Sequence, residues 1–146
     1  MLQDNLMMLR NIHRYSQEQI AEKVGVSRQA YAKWENGASV PDIEKCERLA
    51  AVYGVTIDSL VKTTKLDGAG VIPPPPAGKA IWGAVVINER GQLVIPKAVR
   101  EIFGLAGGAK LIVLTDEAEG IALIPEEMLQ EKMKQAMAYA SVSREE

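Results

Sequence analysis

One cysteine, one histidine and one phenylalanine among 146 residues remove several kinds of protein before any motif is read. A lone thiol, Cys46, cannot close a disulfide within the chain, and Cys46 with His13 cannot supply the several His and Cys ligands of a zinc site. No metal and no cofactor is expected. One histidine, no cysteine pair and no glycine-rich phosphate loop also leave no recognisable nucleophile with its base, so an enzyme is not expected. No apolar run approaches the ~20 residues that a membrane-spanning helix needs. The opening MLQDNLMMLRNIHR carries an acid early and bases only towards its end, the reverse of a secretory signal, which predicts a cytoplasmic protein without a membrane partner.

What is present is 47% hydrophobic content, enough for one or two small domains with modest cores. Residues 16–37, SQEQIAEKVGVSRQAYAKWENG, read as two short amphipathic helices joined by a tight turn. Ser16 and Gln19 have the spacing of a capping box, so each side chain can satisfy a free amide at a helix start. Ile20 and Val24 share a face, Ala21 is small enough for a crossing helix, and Gly25 tolerates the positive φ of a turn. Ser27 caps a second helix in which Tyr31 and Trp34 share the apolar face while Arg28, Gln29, Ala32 and Lys33 fall elsewhere; Gly37 stops it. In the next helical stretch Cys46 falls on one face with Ile43, Leu49 and Tyr53, which predicts a buried, inert thiol.

This unit resembles the phage repressor and Cro (XRE-type) helix-turn-helix, and the resemblance extends over residues 2–61. Leu6 and Leu9 in a first helix, KWENG closing the third, Pro41 with Asp42 opening a fourth and YGVTIDSLV ending the domain all match. The resemblance implies a five-helix DNA-binding domain over residues 1–61. It implies an ion pair between Arg10 and Glu35 that ties the first helix to the end of the third. It places Arg28, Gln29, Ala32 and Lys33 at the bases of the major groove, and Gln17, Ser27, Asn36 and Ser39 at phosphates. The chemistry suits those roles, since Arg and Lys donate to guanine O6 and N7 and a Gln amide pairs with adenine N6 and N7.

Charge argues for restraint. The chain is net −2, and residues 1–61 carry 7 Lys and Arg against 8 Asp and Glu. Affinity drawn from neutralised phosphates is small for such a domain, so binding rests on a few placed groups and gains from two copies.

Residues 62–80, KTTKLDGAGVIPPPPAGKA, read as a linker: a flexible DGAG followed by a short polyproline rod at Pro73–Pro76. Residues 81–125 follow as a second module. GAVVINERGQLVIP predicts two strands about the turn Asn88–Gly91, KAVREIFG a short helix stopped by Gly104, and GGAKLIVLTDEAEGIALIP two further strands about Asp116–Gly120. Some 43 residues are too few to bury both faces of such a sheet alone.

Residues 83–125, through GQLVIP and the K-x-x-R helix, resemble the AbrB, MazE and SpoVT swapped-hairpin family. A β-barrel formed by two interlocked chains, hence a homodimer, is what that resemblance implies. Basic positions of the DNA-binding AbrB pattern fall here on Val85, Gln92, Arg100 and Glu101. Only Arg100 is retained, with Arg90 and Lys97 nearby, so these three form a candidate second DNA surface and dimerisation is the favoured role.

Residues 126–146 predict a helix with Glu126 and Glu127 suited to its first turn and an apolar band of Met128, Leu129, Met133, Ala136, Met137 and Ala140. The expected whole is an α + β multi-domain chain. The leading function is a homodimeric, sequence-specific transcription regulator, a repressor, on double-stranded DNA. The alternative is an antitoxin that binds a protein partner and represses its own promoter. A small-molecule effector stays open.

Overall fold

The computed structural model describes residues 1–142, with side chains as far as Ala138. Ser143–Glu146, and the side chain of Ala140, lie outside the described residues. The chain divides into two compact units, Met1–Val85 and Val86–Glu146.

The first unit opens with five helices: α1 Leu2–Ile12, α2 Gln17–Val24, α3 Arg28–Glu35, α4 Ile43–Tyr53 and α5 Ile57–Val61. Their boundaries follow local chemistry. Ser16 Oγ accepts from the Gln19 amide at 3.1 Å while Gln19 Oε1 accepts from the Ser16 amide at 2.8 Å, so the expected capping box is formed. Gly25 ends α2 at φ 75°, a left-handed conformation that a side chain would strain. Ser27, Asp42 and Thr56 cap α3, α4 and α5 in turn, each through a side-chain oxygen.

Leu6, Leu9, Ile20, Ala21, Val24, Tyr31, Trp34, Cys46, Leu49, Ala50, Tyr53, Val55 and Leu60 form one buried core. Burial raises the Cys46 thiol above its ordinary pKa, with Asp42 adding to the effect. Ile43, expected on this face, is 68% exposed because it occupies the first residue of α4, beyond the packed turns. Tyr31 and Tyr53 join their hydroxyls at 2.9 Å inside the core, and burial pushes the Tyr53 phenol up to about 12. Asn5 is fully buried as well. Its amide donates to the carbonyls of Leu60 and Lys62, both at 2.7 Å, and so closes the C-terminal end of α5 onto α1.

The segment read as a linker carries structure of its own. Strands β1 Thr64–Leu66 and β2 Gly70–Ile72 pair antiparallel, Thr64 opposite Ile72, about a turn in which Gly68 takes φ 84°. The DGAG stretch expected to bend freely supplies this turn. Pro76 then bridges to Val55, and the Ala77 amide donates to Gly54 O at 2.8 Å, so the prolines run along the helical bundle rather than away from it.

In the second unit, α6 spans Lys97–Ile102 and Gly104 follows at φ 62°. Strands β3 Leu111–Asp116 and β4 Gly120–Pro125 form the expected hairpin, Leu111 opposite Pro125. Asp116 Oδ1 fixes its turn by accepting from the amides of Ala118 and Glu119. Helix α7, Glu126–Val142, follows directly. The strand pair expected within residues 83–96 is corrected. Only its turn is formed, closed by Asn88 N to Gln92 O at 2.9 Å and by Asn88 Oδ1 accepting from Gln92 N. The flanks Val86, Ile87 and Val94 are exposed at 86%, 60% and 74% and pair with no strand among the described residues.

Candidate nucleic-acid interface

The two faces of α3 differ in kind. Tyr31, Trp34 and Glu35 are buried, and the rings of Tyr31 and Trp34 meet edge to face at 6.0 Å. Arg28, Gln29 and Lys33 are exposed on the remaining surface, with Ala32 half-buried beside them. Among the described residues no side-chain hydrogen bond or ion pair engages Arg28, Gln29 or Lys33. Helix α3 therefore presents donors and an amide whose hydrogen-bonding capacity is uncommitted.

The residues expected near phosphates flank that surface at both ends. Ser27 Oγ, at the start of α3, accepts from the Ala30 amide at 3.1 Å. Asn36 Oδ1, just past its end, accepts from the Ala38 amide at 3.0 Å and shapes the turn that exposes Ser39. The amides of Ala38 and Ser39 both close on Lys33 O, at 2.9 and 3.2 Å. Gln17 is placed differently from the other three. It is half-buried at the start of α2, and its Nε2 donates to Glu35 Oε2 at 2.9 Å.

Glu35 is the hub of a small network that fixes α3 against α1. Arg10 Nε donates to Glu35 Oε1 at 2.6 Å and Nη2 to Oε2 at 3.3 Å, a two-pronged pair, while Nη1 holds Tyr15 O at 3.1 Å. Burial alone would raise the Glu35 carboxyl. Hydrogen bonds led by those from Arg10 and Gln17 outweigh it and hold the group below the ordinary carboxylate range. Sequence reasoning missed the Gln17 bond because it joins residues 18 apart on different helices.

Arg90, Lys97 and Arg100, the candidate second surface, are all exposed on the second unit. Arg100 Nε is engaged with Ile95 O at 3.1 Å, and Lys97 pairs with Glu101 at 3.6 Å. Arg90 sits in the Asn88–Gln92 turn, with its backbone amide on Asn88 Oδ1.

Two family models match the chain, one for the helix-turn-helix at residues 6–60 and one for the bacterial antitoxin MazE, described as antidote-toxin recognition, at residues 85–130. The chain is also similar to the SPbeta prophage-derived uncharacterized HTH-type transcriptional regulator YonR of Bacillus subtilis. The two chains are 36% identical over 105 residues, which is 70% of this chain and 97% of YonR. The chain belongs to the helix-turn-helix family of transcriptional regulators.

Other matches to this regulator cover a smaller share of it. The transcriptional activator BcrR of Enterococcus faecalis is 38% identical over 63 residues, 43% of this chain and 31% of BcrR, so the regulator spans about a third of that protein's length. The N-terminal domain of SinR from Bacillus subtilis, a solved structure, is 27% identical with a TM-score of 0.41, covering 42% of the regulator and 91% of the SinR chain. Among the described residues of the regulator, no cluster of His, Cys, Asp and Glu has the geometry to hold a metal ion, and no helix is long and apolar enough to cross a membrane.

Proposed function

We propose that this regulator is a homodimeric repressor that lays α3 in the major groove of double-stranded DNA. Residues 1–61 read the DNA, residues 81–125 join two copies, and residues 62–80 connect them. The observation that carries the reading is the divided surface of α3, where Tyr31, Trp34 and Glu35 are spent on packing while Arg28, Gln29 and Lys33 stay uncommitted on the exposed side. Arg28 and Lys33 suit guanine, Gln29 suits adenine, and Ala32 offers apolar contact to a thymine methyl. Ser27, Asn36 and Ser39 set the register on the backbone, and Gln17 joins them through its second amide hydrogen.

Two heads matter because the first helices supply little bulk charge. Linking them raises the effective concentration of the second head without any new contact. Separating residues 1–85 from the rest should therefore lower affinity for a two-half-site operator by about 100-fold or more.

Binding-site selection with the full chain, followed by titration of single-base operator variants, tests the groove assignment. Gln29→Ala should cost about 1–3 kcal/mol and relax preference at one base pair, whereas Ser39→Ala should weaken all variants alike. Identical loss profiles for the two mutants would refute it. An antitoxin role is the second reading, supported by the MazE match over residues 85–130 and by exposed Met128, Met133 and Met137 on α7. A stable complex with the product of a neighbouring toxin gene, copurified with the full chain, decides for it.

A further inference from the structure

We propose that the first unit holds a binding site for a small monocarboxylate with a compact apolar body, in the cleft between the helical bundle and the proline segment. The inference goes beyond DNA reading and uses none of the residues assigned to DNA.

The cleft measures about 550 Å³. Ile12, Tyr53 and Val55 form its bundle side, Pro73–Pro76 the opposite wall, and Lys79 and Ile81 its mouth. Its wall is preformed. The proline ring fixes φ at each of four successive positions, and the Pro76 bridge to Val55 with Ala77 N on Gly54 O ties the end of the proline run to the bundle. A wall whose backbone is fixed in this way loses little on binding.

Size and chemistry select the occupant. The volume falls within the ~300–1,000 Å³ of small-molecule sites, and the patch is far short of the ~800 Å² that a stable protein interface needs on each side. Ile12 and Ile81 remain 57% and 43% exposed at its rim, so an apolar body gains by covering them. Lys79 and His13 are the basic residues lining it, Lys79 has no ion pair among the described residues, and no Asp or Glu borders it. An anionic head on an apolar body fits that arrangement, and a cation does not. The Tyr53 ring that would meet the ligand carries the hydroxyl that bonds Tyr31 on α3 at 2.9 Å.

Calorimetric titration of the full chain without DNA, at about pH 8, separates this site from any failure of the DNA reading. The probes are octanoate and 4-phenylbutyrate, each beside its neutral alcohol, so the alkyl and aromatic bodies are told apart. One site with Kd below about 1 mM is expected for at least one acid. Lys79→Met should weaken that acid by about 2- to 5-fold, the size of an exposed ion pair, and leave its alcohol unchanged. Ala80→Trp, at an exposed position lining the cleft, should abolish binding of both. Absence of binding by both acids overturns the proposal. So does an acid whose affinity survives Ala80→Trp, or a Lys79→Met variant that weakens acid and alcohol alike.

Discussion

The two units use their apolar residues in opposite ways. The first buries thirteen hydrophobic side chains around Tyr31, Leu6 and Leu49, all three at 0% exposure. The second, over residues 86–138, has no buried residue at all; Val86, Val94, Val113 and Ile121 are exposed at 86%, 74%, 63% and 74%. Both are similarly rich in Val, Ile and Leu, so composition does not separate them. What separates them is whether one copy of the sequence can enclose its own apolar surface. Five short helices can wrap around a core; a turn, the short α6, one hairpin and α7 leave no residue among those described buried. A domain of that kind is stabilised by association, and the homodimer proposed above is the form in which its exposed strand flanks would find partners.

The largest effect expected from this contrast is in the isolated halves. Residues 1–85 should sediment as a monomer and unfold in one cooperative transition whose midpoint does not depend on concentration. Residues 81–146 should sediment as a dimer at micromolar concentration and unfold at a midpoint that falls on dilution. A folded monomer of the second half, with concentration-independent unfolding, would show that one copy encloses its own apolar surface.

Single truncations should differ between the two units in the same way. Leu49→Ala in the first unit removes a side chain that is fully enclosed, and should cost about 2–5 kcal/mol in denaturant titrations of the 1–85 fragment. Val86→Ala in the second unit, exposed at 86%, should change a monomer by less than about 0.5 kcal/mol. In the full chain at high concentration the same Val86→Ala should cost more than in dilute solution, since only association would cover that side chain. Equal costs at both concentrations would show that Val86 lies outside any interface.

The same contrast governs what the sequence made legible. In the first unit most signals are local. Ser16 with Gln19, Gly25, Ser27 and Gly54 act within one turn of chain, so helix limits and the packed face of α3 could be read directly. The residues that escaped reading act at long range: Asn5 holds carbonyls 55 and 57 positions away, Gln17 reaches Glu35, and Tyr31 finds Tyr53 22 positions on. No short pattern encodes such partners. The β1–β2 hairpin was hidden for another reason. Its strands are three residues each, set among Gly and Pro, and a linker composition masks them. In the second unit the hairpin of β3 and β4 was legible because its two strands pair with each other. Residues 83–96 read equally well as strands from two short apolar runs about a turn, yet such runs show only that a segment suits a sheet and do not supply the neighbouring strand.

A further expected effect concerns how α3 is held, and it separates the Arg10–Glu35–Gln17 network from the apolar core around it. Glu35→Gln keeps the size of the side chain but removes the charge that Arg10 meets through two hydrogen bonds, and should cost about 1.5–3 kcal/mol near neutral pH. The pH dependence follows from the direction of the shift. Because the folded state holds the Glu35 carboxyl below its ordinary range, its contribution is fully present above the unfolded pKa of roughly 4.3 and is lost as pH falls through the folded value. Wild type and Glu35→Gln should therefore differ most in chemical stability near pH 6 and converge as the medium becomes strongly acidic. Leu49→Ala should instead keep its full deficit across the same range, since no proton is exchanged at an aliphatic core position. A Glu35→Gln deficit that stayed constant from pH 6 to about pH 3 would mean that α3 is held by packing alone and that the ion pair adds nothing to it.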